Sequence, residues 1–461
     1  MRCAETTGRG VRVTSRDPQP QQRRSVAAAA MGNATEWFDY GVYAATATYL
    51  THAFFPGLGT AFTMLGFAVS FVLRPFGGMV WGPLGDRIGR KAVLATTILL
   101  MAGATACIGI LPTHHQVGVL APILLFALRI VQGFSTGGEY GGAATFMAES
   151  VEDRRRGFLG SFLEFGTLTG IVGGTALVLA LQVLLGDSAM QNWGWRIPFL
   201  VALPLGLVGW YLRSKLDESP VFIEVAESTE QPRPRGLAAV TRSLVSTLGN
   251  LITHYPRELF TLAGLVIALN IADYTLLSYQ PTYLEQTIHI SDSTTTAMVL
   301  VGQLVMMLVL PASGALSDRV GRRPMWLVSL VGLAVLAVPM YWLMGQGIGW
   351  AIFGFVVLGL LFVPQLSTIS ATFPAIFPTQ VRYAGFALSY NLSTAIFGGT
   401  APYIDQAVID ATGWKLFPAF FMVAGCLVGL VSWVFLRETK GVSLRGTDTP
   451  ATGELAVQPA P

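Results

Sequence analysis

The chain has 461 residues, 52% of them hydrophobic and only 12% charged, with a formal net charge of +3. A soluble globule carries roughly a quarter charged residues, so this composition excludes one and makes the bilayer the solvent. A charge this small, gathered in loops and tails, also excludes a nucleic-acid-binding face.

The first 25 residues hold Arg2, Arg9, Arg12, Arg16, Arg23 and Arg24 among prolines and glutamines. No apolar run ending in a cleavage site follows, so residues 1–25 read as a disordered basic cytoplasmic tail and not a signal peptide; the alternative is a start codon placed too early. Apolar runs of the roughly 20 residues a bilayer requires come near 27–51, 61–82, 92–112, 119–147, 157–185 and 196–214, which makes an N-terminal six-helix bundle over 26–215. A polar interval, 216–257, reads as a cytoplasmic central loop. Six more runs near 258–288, 295–316, 324–345, 348–371, 383–408 and 414–436 make a C-terminal bundle over 258–437, and 438–461 reads as a second disordered cytoplasmic tail. The expected fold is therefore an all-α membrane protein of twelve transmembrane helices in two six-helix bundles. Cys3, Cys107 and Cys426 lie far apart and imply no disulfide framework.

Charge placement tests the topology, because Lys and Arg gather on the cytoplasmic side. With the first span leaving from the cytoplasm, the inner segments hold the basic runs around Arg87, Arg154, Arg213, Arg235, Arg319, Arg382 and Arg437, whereas the outer loops hold Arg196 and Lys415 alone. Both termini are then cytoplasmic.

One basic motif occurs at corresponding places in the two halves. The copies are Gly82-Pro83-Leu84-Gly85-Asp86-Arg87-Ile88-Gly89-Arg90-Lys91 and Gly314-Ala315-Leu316-Ser317-Asp318-Arg319-Val320-Gly321-Arg322-Arg323. Each reads as a tight charged hairpin. Gly82, Gly89, Gly314 and Gly321 permit the turn and close helix contact, Asp86 and Asp318 accept charge-assisted bonds, and Arg87, Arg90, Arg319 and Arg322 face lipid phosphates or a helix end. A loop that only sets topology explains the cations but not an aspartate placed identically in both copies. A device repeated once per half fits two similar bundles that rock about a central site.

Glu36, Asp39, Arg74, Arg129, Glu139, Glu164 and Asp273 fall within predicted spans, where a charge at the helix centre costs about 2.5–3.5 kcal/mol on the insertion scale. They must face the interior. Glu36 and Asp39, three apart, share a helix face beside Trp37 and Tyr40; their mutual repulsion favours holding a proton at neutral pH, and the alternative is neutralisation by Arg74 or Arg129 as structural ion pairs. Asp39 is the first choice for a functional role. Glu139 follows Gly137-Gly138, where a ligand or another backbone can approach, so it can take a proton, pair with a substrate cation, or simply bond a neighbouring helix. His52, His114, His115, His254 and His289 fall at span ends or in loops, which leaves any proton relay to carboxylates. There is no nucleotide-binding Gly-x-x-x-x-Gly-Lys-Ser/Thr loop, no filter-like run and no buried histidine to assist a nucleophile, which argues against an ATP-driven pump, a channel and an enzyme. No cofactor or metal is expected.

The two Gly-x-Leu-x-Asp-Arg-x-Gly-Arg loops resemble the signature of the major facilitator superfamily. Gly32-Asn33-Ala34-Thr35-Glu36-Trp37-Phe38-Asp39-Tyr40, Gln132-Gly133-Phe134-Ser135-Thr136-Gly137-Gly138-Glu139-Tyr140, Trp193-Gly194-Trp195-Arg196-Ile197-Pro198-Phe199 and Phe377-Pro378-Thr379-Gln380-Val381-Arg382-Tyr383 narrow the resemblance to metabolite:proton symporters, most closely proline/betaine transporters. The resemblance implies a multi-pass protein of the inner (cell) membrane that carries a small-molecule substrate with a proton. It implies loop motifs that hold the cytoplasmic side shut while the outside is open, and proton coupling on Asp39, Glu36, Glu139 or Glu164. Some relatives carry a heptad-patterned C-terminal extension, and nothing after Arg437 shows that pattern.

A betaine-type substrate needs aromatic faces and a carboxylate for its ammonium and one arginine for its own carboxylate. Trp37, Tyr40, Tyr140, Tyr390, Asp273, Arg74 and Arg129 supply both kinds of group. A dicarboxylate such as 2-oxoglutarate requires two buried cations, for which Arg74 and Arg129 are the pair, and Phe397–Tyr403 is similar to strings in such relatives. Asp273 counts against a dianion and departs from the family, which is usually uncharged there. A non-transporting receptor with a transporter fold is the reading from another class, although it has no need of a second motif copy.

Overall fold

The computed structural model describes residues 18–444 except 89, 138, 215–248, 379 and 380. Among the described residues, eight helices are long and apolar enough to cross a membrane: Thr60–Trp81, Leu120–Glu149, Asp153–Gly194, Pro256–Thr287, Asp292–Val320, Arg322–Met344, Ile348–Thr372 and Phe417–Phe435. Four further passes are shorter, more polar or interrupted. They are Pro18–Ala45 continued by Ala47–Phe54, then Arg90–Ile110, Arg196–Ser214, and Arg382–Ser393 continued by Ala401–Thr412. In chain order these are spans one to twelve.

Three expectations shift. The first helix begins at Pro18, within the stretch read as a disordered tail, and residues 249–254 of the expected central loop are helical. The motif copies are more helical than expected. Span eight stays helical through Asp318 and Arg319 to Val320, and the chain turns on Gly321 alone, whose φ of 114° favours glycine. Helix likewise covers Gly82 to Ile88 and resumes at Arg90. Gly89 and the side chains of Asp86, Arg87, Arg90 and Glu139 lie outside the described residues.

The packing carries the repeat. In the first half span one lies on five, two on four and three on six; in the second, seven lies on eleven, eight on ten and nine on twelve. Across the halves five packs on eight and eleven on two, the same pairing with the halves exchanged. Helices in lipid gain association energy from close backbone approach. Span five provides it with Gly166, Gly170 and Gly174, where a Cβ would run into Ala30, Ala34 and Phe38 of span one. Spans seven and eleven are interrupted by wide turns, Tyr274–Tyr279, Tyr283–Thr287 and Thr394–Gly398, of the π-helical kind that marks functional positions.

Candidate functional site

The polar residues of the first half form two linked ion pairs. Arg129, fully buried on span four, donates from Nη1 to Asp39 Oδ2 at 2.9 Å and to Gln132 Oε1 at 2.8 Å. Gln132 Nε2 donates in turn to Asp39 Oδ1 at 3.2 Å and to Thr105 on span three at 2.7 Å. The Tyr43 ring covers the guanidinium, 3.5 Å from Cζ. Arg74 donates to the Tyr40 hydroxyl at 2.5 Å, stands 3.8 Å from Glu36 and lies over Phe71. Each carboxylate of the Glu36/Asp39 face thus has its own arginine. That relieves the repulsion expected between them and makes Asp39 part of a hydrogen-bonded network with Arg129, Gln132 and Thr105.

Between the halves the contact is aromatic. Trp37 stacks on Tyr274 of span seven with centroids 6.3 Å apart, and Phe71 meets the same ring edge-on at 4.9 Å. Tyr140 of span four stacks on Tyr390 of span eleven at 4.6 Å and 17°. The Tyr140 hydroxyl donates to Glu164 on span five. Asp273 is buried one residue before Tyr274, with Oδ1 lacking a hydrogen-bond partner. Among the described residues no cation forms an ion pair with Glu164 or Asp273. One set of acids is therefore neutralised and a second set, beside the stacked tyrosines, is not. Trp37, Tyr40, Tyr140, Tyr390, Glu164, Asp273 and Arg74 converge on one layer, and Asp39 and Arg129 lie behind it in the first half.

Both ends of this layer are shut. On the face bearing the motifs, Asp318 accepts the backbone N–H groups of Gly157 and Phe158, at 2.8 Å each, where span five begins. A carboxylate on the first N–H groups of a helix neutralises its positive end. Arg322 holds that carboxylate at 2.6 Å, whereas Arg319 is exposed. Gly157 and Gly314 let the two helices touch. Glu149 pairs with Arg382 across the halves at 2.7 Å. The chain after span twelve, expected to be a tail, joins this face. Glu438 accepts from the N–H groups of Arg322 and Arg323, and Leu444 is buried against Ala148 and Ala375. At the other end Thr48 donates to Glu285 at 2.5 Å, again across the halves. A cavity of about 20 Å³, the room of one water, lies beside Glu36, Asp39, Thr97 and Thr105 within the first half.

Gln132, Thr105, Glu149, Glu285 and Asp405 were not singled out by sequence. Glu285 and Asp405 fall inside predicted spans and carry the same signal as Glu164.

Two six-helix halves that close on a polar centre, with charged clasps at the ends, define a multi-pass membrane transporter rather than an enzyme. Residues 25–450 match the family described as Sugar (and other) transporter, and the chain belongs to that family. It is 40% identical, over 94% of its length and 87% of the relative's, to the glycine betaine/proline/ectoine/pipecolic acid transporter OusA of Dickeya dadantii (strain 3937). It is 39% identical, with the same coverages, to the proline/betaine transporter of Escherichia coli (strain K12). The fold is similar to that of the proton:xylose symporter XylE bound to 6-bromo-6-deoxy-D-glucose, with a TM-score of 0.71, 19% identity, and coverage of 93% of this chain and 98% of that one.

Proposed function

We propose that the protein is a proton symporter of the inner (cell) membrane, with both termini cytoplasmic, that imports small zwitterionic osmolytes of the proline and glycine betaine class. One observation carries the substrate class: Glu164 and Asp273, acids without a counter-cation among the described residues, stand beside the Tyr140/Tyr390 stack that joins the halves, within one layer with Arg74. A substrate ammonium parting the two rings gains cation–π contact, about 2 kcal/mol when desolvated, and the two acids supply its counter-charge. Its carboxylate reaches Arg74. The names of the similar transporters support the same class.

The proton is carried in the first half. Protonation of Asp39 frees Arg129 from its ion pair, and Gln132 and Thr105 take up the change in hydrogen bonding. The small cavity beside Asp39 gives a water access to the carboxylate. One proton entering with a zwitterion gains about 2.3 kcal/mol per 100 mV, or roughly fiftyfold accumulation. The clasp on Asp318 and its partner sites open and close the ends in alternation, which a receptor has no use for.

A dicarboxylate is disfavoured, because Arg74 and Arg129 already face acids and two further acids border the layer. The test is uptake of labelled glycine betaine, proline and 2-oxoglutarate by a transport-deficient host. Accumulation of the first two supports the proposal, and accumulation of 2-oxoglutarate alone overturns it.

A further inference from the structure

The second half contains an acid that the scheme above does not use. Asp405 is fully buried on Ala401–Thr412, the outer part of span eleven on the proposed orientation. Its Oδ2 accepts from the Thr275 hydroxyl at 3.0 Å, and Oδ1 has no hydrogen-bond partner. Among the described residues no cation forms an ion pair with it. A buried ionised carboxylate without a cation is strongly unfavourable, and one that holds a proton is not. Thr275 lies in the wide turn Tyr274–Tyr279, directly after the tyrosine that stacks on Trp37 across the halves.

We propose that Asp405 is a second proton-binding carboxyl of the transport cycle, seated in the C-terminal half and linked through Thr275 to the turn that carries Tyr274. The proton binds Oδ1 from water on the outer side and, once the cytoplasmic end has opened, leaves the same oxygen for water entering from that end. Oδ2 keeps the Thr275 bond throughout. With the proton on, the carboxyl fits the dry contact of spans seven and eleven. With the proton off, the lone charge draws water between them, shifts Thr275, still bonded to Oδ2, and with it Tyr274, and favours the open arrangement of the outer end, where span eleven also leans on span two.

The groups facing Asp405 are compatible with this. Span seven presents Tyr279 and span nine presents Tyr341, Tyr283 lies against both of those rings, and Asp410, further along span eleven, is joined to Tyr279 through Gln406. The facing helix Thr60–Val72 has no ionisable residue, and Phe417–Phe435 has only Cys426. Nothing in this set supplies a permanent counter-charge.

The inference rests on the proton-symport reading, and the experiment separates the two. Wild type, Asp405→Asn and Thr275→Val are reconstituted in proteoliposomes, and each is assayed for glycine betaine uptake driven by a pH gradient and for counterflow without one. The amide mimics the protonated acid, so Asp405→Asn exchanges substrate in counterflow but loses gradient-driven uptake at least tenfold. Asp405→Asn with wild-type gradient-driven uptake overturns the role of Asp405 alone. A wild type with no gradient-driven uptake overturns proton symport as well. Should Asp405→Asn lose both activities, as a misfolded carrier does, Thr275→Val decides. Loss of its hydrogen bond moves the pH of half-maximal uptake toward alkaline pH by about one unit, whereas an unchanged midpoint overturns the proposal.

Discussion

Replacing Asp318 by asparagine isolates the clasp between spans five and eight. The carboxylate makes three contacts: two backbone N–H groups at the start of span five, and Arg322. Hydrogen bonds to a charged group contribute about 1.5–3 kcal/mol each. The amide retains one acceptor oxygen, so the substitution removes about 2–3 kcal/mol from the state that is closed at this end, and the closed-to-open ratio falls about 30- to 140-fold. A cysteine at Ser370 reports that opening, because Ser370 is buried in span ten and a Cβ on Gly160 would lie 3.3 Å from its side chain. With Cys3, Cys107 and Cys426 replaced by serine, maleimide alkylation of Ser370→Cys is expected to rise at least tenfold when Asp318→Asn is added. An unchanged alkylation rate refutes the reasoning that this carboxylate holds the face shut.

Further substitutions probe other contacts. Tyr390→Ala removes half of the ring pair against which a quaternary ammonium is expected to lie, so the concentration for half-maximal glycine betaine uptake rises at least tenfold, and more than that for proline, whose ammonium is not quaternary. Glu438→Gln weakens the cap on the start of span nine by about 1–2 kcal/mol and lowers the melting temperature of the purified protein. Gly170→Leu drives a side chain into the backbone of Ala34 and Phe38, and membrane-inserted protein falls sharply by immunoblot.

The twelve passes were legible because lipid enforces runs of about 20 apolar residues, and weakest where the first, third, sixth and eleventh passes carry polar or broken stretches. The pairing of Asp39 with Arg129 was only one of several open choices, since the partners are 90 residues apart and packing decides which acid meets which base. Charge and glycine suggested hairpins at the motifs. At the level of the membrane surface, however, charged side chains do not interrupt a helix, and among the described residues of the second copy it is Gly321 that turns the chain. The segment after Arg437 was read as a tail on composition, yet one carboxylate, Glu438, fixes its start by capping span nine. Asp405 went unmarked near the end of a predicted span, where burial is not readable without the helices that cover it.

The most direct measurement is glycine betaine uptake by purified wild-type protein in proteoliposomes whose exterior is more acidic than the lumen, beside Asp39→Asn. Wild type is expected to accumulate substrate above its external concentration and to lose that accumulation when a protonophore collapses the gradient, and Asp39→Asn is expected not to accumulate. Uptake by wild type that stops at equal concentrations, or accumulation by Asp39→Asn equal to wild type, contradicts a cargo driven by a proton on that carboxylate.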